Sequence, residues 1–283
     1  MCMECGCGSG GSPRILGGPD AAGPSTPHDS GGPGAGPAPA PHHPHEHPEH
    51  SHPADEPAAH EPHTVTLHRS LLEKNQRRAE RNRGYFRARG WLVLNVMSSP
   101  GAGKTTLIEQ TAKGLQGRLR CAVVVGDLAT DLDAARLRAA GVPTVQVATG
   151  TVCHLDADMV RRAVQELNPD GLDLLIIENV GNLVCPADFD LGEDLRVVLL
   201  SVTEGEDKPL KYPPLFHSAH VAIITKSDLA EAARFNRAAA LANLHRISHH
   251  ARIFELSART GAGMQAWLDF LVAEHRRVQN EPW

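Results

Sequence analysis

The first quarter of this 283-residue chain has almost none of the residues that build hydrophobic cores. Between Cys2 and His63 it is dominated by Gly, Pro, Ala and His, with very few Leu, Ile, Val or aromatic side chains. Such a segment cannot bury enough apolar surface to offset the chain entropy lost on folding. We therefore expect residues 1–63 to form a disordered tail. The ordinary composition and length of residues 64–283 suit one folded domain.

Three further absences narrow the class of protein. No apolar run approaches the ~20 residues of a membrane span, and the first residues lack the basic start and apolar core of a signal peptide. The formal net charge of -5 gives no electrostatic footprint for nucleic acid. Basic residues between Lys74 and Arg89 fit a solvated helix face better than a nucleic-acid or membrane patch. We expect a cytoplasmic protein with six reduced cysteines and with neither nucleic-acid nor membrane partners.

The second part of the chain alternates apolar strands with helices. Near-continuous apolar strands separated by helices predict an α/β fold, with a mostly parallel sheet covered on both faces. The predicted strands are 92–97, 121–125, 144–148, 172–178, 195–202, 221–225 and 252–256. The predicted helices are 67–87, 104–115, 133–140, 156–167, 230–249 and 263–278.

A phosphate-binding loop is predicted at residues 98–106, between the first of these strands and a helix. Gly101 and Gly103 let the backbone curl so that N–H groups point at phosphate oxygens, and the helix start adds its positive end. Lys104 is expected to reach the β- and γ-phosphates, and Thr105 to offer its hydroxyl to Mg²⁺. The flanking strand and helix disfavour a chance Gly-rich turn. The predicted phosphate-loop contacts are Gly101, Ala102, Gly103, Lys104, Thr105 and Thr106.

Guanine selectivity is predicted from a loop after a later strand. Thr225-Lys-Ser-Asp228 lies where G domains carry Asn-Lys-x-Asp, with Thr225 in place of Asn. Asp228 can accept hydrogen bonds from guanine N1 and N2, a donor pattern that adenine lacks, and Lys226 can pack along the purine. Ser257 and Ala258 fit the loop whose backbone reads guanine O6. In this order these residues favour GTP over ATP.

Two acidic residues at strand ends complete the predicted catalytic set with Lys104. Asp127 is expected to hold Mg²⁺, directly or through water, and Glu178 to orient the metal or the attacking water. Gly181 lies three residues after Glu178 and is suited to sense the γ-phosphate. For each acid the alternative is an ordinary strand-end carboxylate.

The N-terminal segment has two features that predict metal binding. Cys2, Cys5 and Cys7 supply three thiolates within seven residues, with the terminal amine available as a fourth ligand. Such a set suits square-planar Ni²⁺, whereas Zn²⁺ prefers tetrahedral closure. A redox pair is the alternative. The His-rich stretch 42–52 is either a series of weak sites for divalent ions or a low-complexity linker.

Cysteine and histidine also lie within the expected domain. Cys153 and His154 precede a predicted helix, and because neighbouring side chains diverge we expect a full site only where two copies meet at a dimer axis. Cys185 lies seven residues after Glu178, so its thiol would move with a nucleotide switch. Isolated residues of these types are otherwise core or surface residues. Cys121 begins a strand and is interpreted as a core residue.

Taken together, these stretches resemble the HypB family, GTPases that help insert nickel into [NiFe] hydrogenase. The resemblance covers essentially the whole chain in family order. Ser98, which replaces the first glycine of the phosphate loop, and Thr225 depart from the expected pattern. The matching strings are Cys2-Met-Glu-Cys-Gly-Cys7, the His-rich stretch, and residues 99–106, 149–156 and 178–186.

The resemblance implies properties that the residues alone do not give. It implies a Rossmann-like P-loop NTPase that dimerises around GTP, works with the HypA metallochaperone, and serves the hydrogenase large-subunit precursor. It also implies a tight nickel site at Cys2, Cys5 and Cys7, and a second site for nickel or zinc at the dimer interface. The implied ligands of the second site are Cys153, His154 and Cys185.

Three other functions remain open at this stage. A urease-type nickel-insertion GTPase can carry a His-rich tail, although the N-terminal cysteines and the string 179–185 count against it. The length of the His-rich stretch suggests a nickel-storage protein whose G domain is regulatory. An ATP-dependent P-loop enzyme with an incidental tail is disfavoured by Asp228.

Overall fold

A computed structural model of the chain describes residues 14–16, 62–127 and 131–280. For residues 14–16 and 62–68 it describes the backbone alone. The predicted site at Cys2, Cys5 and Cys7 and the His-rich stretch therefore lie outside the described residues. None of the helices in the described ranges combines the length and apolarity that a bilayer crossing requires.

One sheet organises the described residues. Its strands are β1 (Arg14–Leu16), β2 (Leu92–Met97), β3 (Cys121–Asp127), β4 (Thr144–Ala148), β5 (Leu174–Glu178), β6 (Leu195–Ser201), β7 (Val221–Thr225) and β8 (Arg252–Glu255). They lie in the order β1-β4-β3-β5-β2-β6-β7-β8. All pairs from β2 to β8 are parallel, and β1 pairs antiparallel with β4. The mostly parallel α/β fold is confirmed.

Helices cover both faces because strand side chains alternate in direction. On β2, Leu92, Leu94 and Val96 face a core shared with α2, α3 and α8, whereas Val93 and Met97 face the opposite side. The helices are α1 (Pro62–Arg87), α2 (Lys104–Gly114), α3 (Leu132–Ala139), α4 (Ala157–Leu167), α5 (Lys208–Lys211), α6 (Pro213–His217), α7 (Arg237–Ile247) and α8 (Met264–Asn280).

Most of the predicted boundaries are confirmed to within two residues, but the starts of α1 and α7 are exceptions. Helix α1 begins at Pro62, five residues before the predicted start and two residues inside the predicted tail. The predicted helix 230–249 starts at Ala230, whereas α7 begins at Arg237. The Asn236 side chain accepts a hydrogen bond from Ala239 N at 3.0 Å and so caps the helix. The residues just before it form a 3-10 turn over Ser227–Leu229 and further turns.

The edge strand β1 lies within the segment that the composition assigned to a disordered tail. Its residue Arg14 lies opposite Ala148 and its residue Leu16 lies opposite Gln146. Strand pairing uses backbone groups, and β4 would otherwise present an open row of them. A segment too poor in apolar residues for its own core can therefore add a strand to an existing sheet. The expectation of disorder does not hold for these three residues.

The long helix α1 is attached through buried amide side chains. Asn82 Nδ2 donates to Ala157 O at 2.8 Å and to Leu191 O at 3.0 Å. Asn75 Oδ1 accepts from Ala157 N at 2.9 Å, at the first turn of α4. The Asp156 carboxylate caps the same turn by accepting from Met159 N at 2.8 Å. These bonds fix the start of α4 and therefore the end of the loop that carries Cys153 and His154.

Candidate functional site

A cleft of ≈ 500 Å³ lies at the carboxyl edge of the parallel strands. This is the edge at which open α/β sheets bind ligands. Most of the predicted phosphate and catalytic residues converge here, although they come from four separate loops. Those lining the cleft are Gly101, Gly103, Lys104, Thr105, Thr106, Asp127, Glu178, Gly181 and Lys226.

The phosphate loop has the backbone that its glycines predict. Gly101 and Gly103 have φ of 76° and 98°, and α2 begins directly after Gly103. Ser98 is fully buried and takes part in the loop, because its Oγ accepts from Lys104 Nζ at 3.2 Å and donates to Ser99 O at 2.7 Å. A glycine could not make these bonds.

A buried carboxylate closes the inner wall of the cleft. Glu178 is 3% exposed, and its Oε1 accepts from Thr105 Oγ1 at 2.7 Å. Its Oε2 is buried with no hydrogen-bond partner among the described residues. Burial raises the pKa of Glu178 to about 7, against the opposing effects of Thr105 and the Lys104 ammonium. Burial also lowers the pKa of Lys104, although the Glu178 charge opposes this shift.

Asp127 lies at the end of β3 and lines the cleft, as the sequence predicts. Two charged residues of α3, Asp133 and Arg136, line the cleft as well and were missed by sequence reasoning. Arg136 Nη1 donates to Thr106 Oγ1 at 3.2 Å, and its Nη2 lies 2.6 Å from Glu109 Oε2. Both residues lie in the helix that follows β3, so a scan for charges just after Asp127 would have found them.

The predicted base-reading loop is bonded to the phosphate loop. Thr225 Oγ1 donates to Ala102 O at 2.8 Å, and Lys226 Nζ donates to Gly101 O at 2.6 Å. Lys226 has a left-handed backbone with φ of 58°, which turns the chain sharply at the end of β7. Ala102 itself is fully buried and contributes its carbonyl here rather than a surface of the cleft.

Asp228, Ser257 and Ala258 lie beyond the residues that line the cleft, on two adjacent loops. Asp228 Oδ1 accepts from Ser257 Oγ at 2.5 Å, and Oδ2 accepts from Arg259 Nε at 3.0 Å. Hydrogen bonds from Ser257 and Arg259 lower the pKa of Asp228 and favour the ionised carboxylate. Ser227 N donates to Leu256 O at 3.2 Å, which joins the two loops. Arg259 was missed by sequence reasoning.

Cys153, His154 and Cys185, here called the thiol cluster, meet beside this edge of the sheet. Their ligand atoms lie within 4.8 Å of one another, and the two Sγ atoms are 2.7 Å apart without a disulfide. The His154 ring stacks on Phe189 at a centroid distance of 3.8 Å. Its Nδ1 is buried with no hydrogen-bond partner among the described residues, and burial lowers the pKa of the imidazole. Thiolate and neutral imidazole are ligands for soft and borderline metal ions.

The thiol cluster brings three donors together within one chain, because Cys185 comes from the segment after β5 and lies against the loop of Cys153 and His154. A tetrahedral or square-planar ion takes four ligands, so completion of the site by a second copy of the chain stays a prediction. The expectation for Cys121 is confirmed: it packs against the core, and burial raises the pKa of its thiol to about 12.

These features define the class of protein. A glycine-containing loop between β2 and α2 precedes the N-terminus of a helix, and acidic residues end β3 and β5. An Asp-containing loop follows β7 and is bonded to the phosphate loop. The fold and site are those of a P-loop nucleotide-binding protein.

Comparisons with known proteins identify the family. Residues 92–255 match the family model "CobW/HypB/UreG, nucleotide-binding domain". The chain is 52% identical over 209 residues to "Hydrogenase maturation factor HypB" of Azotobacter chroococcum mcd 1, covering 73% of this chain and 68% of that protein. It is 40% identical to "Hydrogenase/urease maturation factor HypB" of Helicobacter pylori (strain ATCC 700392 / 26695), covering 75% and 88%.

A solved structure agrees with this assignment. The crystal structure of HypB from Helicobacter pylori in complex with nickel superposes with a TM-score of 0.69 and 41% sequence identity. The superposition covers 72% of this chain and 96% of that one. The chain belongs to the CobW/HypB/UreG family and, within it, to the HypB hydrogenase maturation factors.

Proposed function

We propose that the chain hydrolyses GTP and uses its nucleotide state to gate a nickel site that supplies nickel to a [NiFe] hydrogenase large-subunit precursor. The observation that carries this proposal is a single short segment. Glu178, which bonds Thr105 in the phosphate cleft, lies only seven residues before Cys185 of the thiol cluster. A change at the γ-phosphate can therefore reach a metal ligand through a few residues of backbone.

In this proposal, separate loops of the chain recognise the phosphates and the guanine base of GTP. The phosphate loop and Lys104 bind the phosphates, and Arg136 adds a second positive charge at the same cleft. Asp228 accepts the guanine N1 and N2 protons, while Lys226 packs along the purine and the backbone of Ser257 and Ala258 reads O6. The hydrogen bonds that Asp228 accepts from Ser257 and Arg259 support the guanine reading, because they show the carboxylate acting as an acceptor.

The oxygen donors of the cleft fit a magnesium ion. Thr105 Oγ1, the Asp127 carboxylate and Glu178 Oε2, which has no hydrogen-bond partner in the described part of the chain, are hard ligands of the kind that Mg²⁺ prefers. A bound Mg²⁺ supplies neutralisation of the charge on the β- and γ-phosphates. Glu178 then orients the attacking water, and Lys104 stabilises charge on the transferred phosphoryl group.

Nickel is cargo in this scheme. Two thiolates and one imidazole of the thiol cluster suit Ni²⁺, and the same set accepts Zn²⁺. Cys2, Cys5 and Cys7 provide the tight nickel site of the proposal. Both sites need reduced thiols, which supports a cytoplasmic location. The proposed partners are a second copy of the chain in the GTP state, a HypA-type metallochaperone and the hydrogenase precursor.

The test uses the full chain with serine at Cys2, Cys5 and Cys7, so that thiolate–nickel absorption reports the thiol cluster alone. Ni²⁺ is titrated into the protein loaded with GDP or with the β,γ-imido analogue of GTP, while light scattering follows its oligomeric state. We expect the GTP form to dimerise and to bind Ni²⁺ with a different affinity. Equal affinities in the two forms would contradict gating and favour a storage protein.

A second destination for the nickel is supported by a relative. The Helicobacter pylori protein that is 40% identical is named a hydrogenase/urease maturation factor. Deleting the gene from its host and assaying both enzymes separates the two destinations. Loss of hydrogenase activity alone supports the main proposal, whereas loss of urease activity as well supports the wider one.

A further inference from the structure

Two loops at the carboxyl edge of the sheet are joined by asparagine side chains. The first, here called the switch segment (residues 178–185), runs from Glu178 in the phosphate cleft to Cys185 of the thiol cluster. The second, here called the cluster loop (residues 149–156), carries Cys153 and His154. A change at the nucleotide can reach Cys185 along the switch segment itself, whereas it reaches Cys153 and His154 across the contact between these two loops.

The switch segment approaches the phosphate loop closely. Asn179, Val180 and Gly181 line the phosphate cleft. A Cβ atom built on Gly181 would lie 3.1 Å from both the backbone N and the Cα of Pro100. A shift in the phosphate loop, or a γ-phosphate that attracts the Gly181 N–H, therefore acts directly on this part of the switch segment.

One side-chain oxygen binds both loops. Asn179 is fully buried, and its Oδ1 accepts from Val180 N at 2.9 Å and from Leu155 N at 3.2 Å. Val180 borders the phosphate cleft, whereas Leu155 directly follows His154. Movement of either N–H changes the position of an oxygen to which the other is bonded.

A buried relay holds the Asn179 amide in this orientation. Glu193 Oε1 accepts from Arg196 Nε at 2.8 Å and from Asn95 Nδ2 at 3.2 Å, so Asn95 turns its oxygen toward Asn179. That oxygen accepts from Asn179 Nδ2 at 3.1 Å. With its amino group so engaged, Asn179 can turn only Oδ1 toward the two backbone N–H groups. Each amide group of Asn95 and Asn179 therefore has a defined role as donor or acceptor.

A second asparagine joins the same loops nearer the metal ligands. Asn182 Nδ2 donates to Cys153 O at 3.3 Å, and its Oδ1 accepts from Val184 N at 2.9 Å. Val184 is the residue before Cys185. Asn182 therefore connects the backbone of one thiol ligand to the backbone beside the other.

We propose that Asn179, oriented by Asn95, is the positioning residue that couples the phosphate cleft to the thiol cluster, with Asn182 as a second tie. This inference rests on the proposed function, because it assumes that nucleotide and nickel affinities are linked. It assigns that linkage to named hydrogen bonds between the switch segment and the cluster loop. Asn182 does not line the phosphate cleft, whereas Asn179 does, so the test below compares affinities within each variant rather than between variants.

The test measures a coupling factor rather than an affinity. In the full chain with serine at Cys2, Cys5 and Cys7, the Ni²⁺ affinity of the thiol cluster is measured with GDP and with the β,γ-imido analogue of GTP. By thermodynamic linkage, the ratio of these two Ni²⁺ affinities must equal the factor by which Ni²⁺ changes the preference of the protein for the GTP analogue over GDP. We expect a ratio in the range of about 5 to 150 for the parent.

Three variants then decide the inference. We expect Asn179→Ala to bring the ratio within about twofold of one while its Ni²⁺ affinity in the GDP form stays within about threefold of the parent. Asn182→Ala should lower the ratio as well. Asn243→Ala is the matched control, because Asn243 Nδ2 makes a similar bond to Glu206 O at 2.9 Å outside both loops; it should keep the parent ratio.

The failures of the two proposals can be told apart. A parent ratio of one contradicts the proposed gating itself, before any variant is made. A parent that couples, together with an Asn179→Ala variant that couples equally, overturns this inference and leaves the gating intact. An equal loss of coupling in Asn243→Ala also overturns it, since the effect would then be general destabilisation. Should urea unfolding show Asn179→Ala to be unfolded, Asn182→Ala alone decides, and an unchanged ratio there overturns the inference.

Discussion

Ser98 and Thr225 both use a hydroxyl group to bind the phosphate loop. The family pattern has other residues at these two positions. In this chain, Ser98 Oγ contacts Lys104 Nζ, and Thr225 Oγ1 contacts Ala102 O. Side chains that differ from a motif can still supply a hydrogen bond at the same place.

Thr225→Val tests the bond to the phosphate loop. The change leaves Ala102 O without its donor and releases the base-reading loop, so we expect guanine-nucleotide affinity to fall by roughly tenfold, as one lost buried bond predicts. Titration of a fluorescent GDP analogue measures the effect. Thr144→Val is the control, since Thr144 Oγ1 makes the same kind of buried bond to Val142 O at 2.9 Å away from the cleft. Equal losses in both variants would refute the local explanation.

The three described cysteines should differ in reactivity. Alkylation requires the thiolate, and burial raises the pKa of Cys121 to about 12, so at pH 8 only about one in ten thousand Cys121 thiols is ionised. We expect iodoacetamide to modify Cys153 and Cys185 well before Cys121, with the order read by peptide mass spectrometry. Rapid labelling of Cys121 in the folded protein would contradict its assignment to the core.

Site residues that can be recognised from their type and their position at a strand or helix end were easier to predict than hydrogen bonds between residues distant in sequence. Lys104, Asp127 and Glu178 could be placed from their positions at strand and helix ends, and all three line the cleft. The bond between Thr105 and Glu178 could not be foreseen, because it joins residues 73 positions apart. Arg136 was missed although it lies in the helix that follows Asp127, because its role depends on contacts with Thr106 and Glu109 on another helix.

At the level of elements, the strands were predicted well because burial on both faces gives continuous apolar runs. β2, β4 and β7 have the predicted limits. Short elements were harder: α5, α6 and β1 span five residues or fewer and were missed, and α7 starts seven residues after the predicted position. Their limits depend on caps, prolines and pairing partners rather than on hydrophobic periodicity.

Asn82→Leu tests how α1 is held to the domain. Asn82 is 3% exposed, and its loss leaves Ala157 O and Leu191 O buried without this donor. We expect the free energy of unfolding to fall by about 2–4 kcal/mol, measured by urea denaturation. Gln76→Leu on the exposed face of the same helix is the control and should change it by less than about 0.5 kcal/mol. Similar values for both variants would mean that the amide bonds of Asn82 contribute little.

Nucleotide should stabilise the molecule as a whole. A ligand that binds only the native state at about 100 times its Kd adds ~2.7 kcal/mol, which raises the Tm of a domain of this size by roughly 5–10 °C. We expect this shift with Mg²⁺ and GDP but not with ATP at the same concentration, measured by differential scanning fluorimetry. Lys104→Ala should abolish it. An equal shift with ATP would contradict the role assigned to Asp228.

Strand β1 has a consequence for how the protein is handled. A fragment that begins at residue 64 lacks Arg14–Leu16 and so uncovers the Gln146–Ala148 edge of β4. Open strand edges join to one another, so we expect this fragment to self-associate with either nucleotide, as seen by sedimentation velocity at increasing concentration. The full chain should do so far less in the GDP state. Three residues of an otherwise core-poor segment would thereby act as a solubility element, and self-association of a shortened protein would imitate the proposed nucleotide-driven dimer for an unrelated reason.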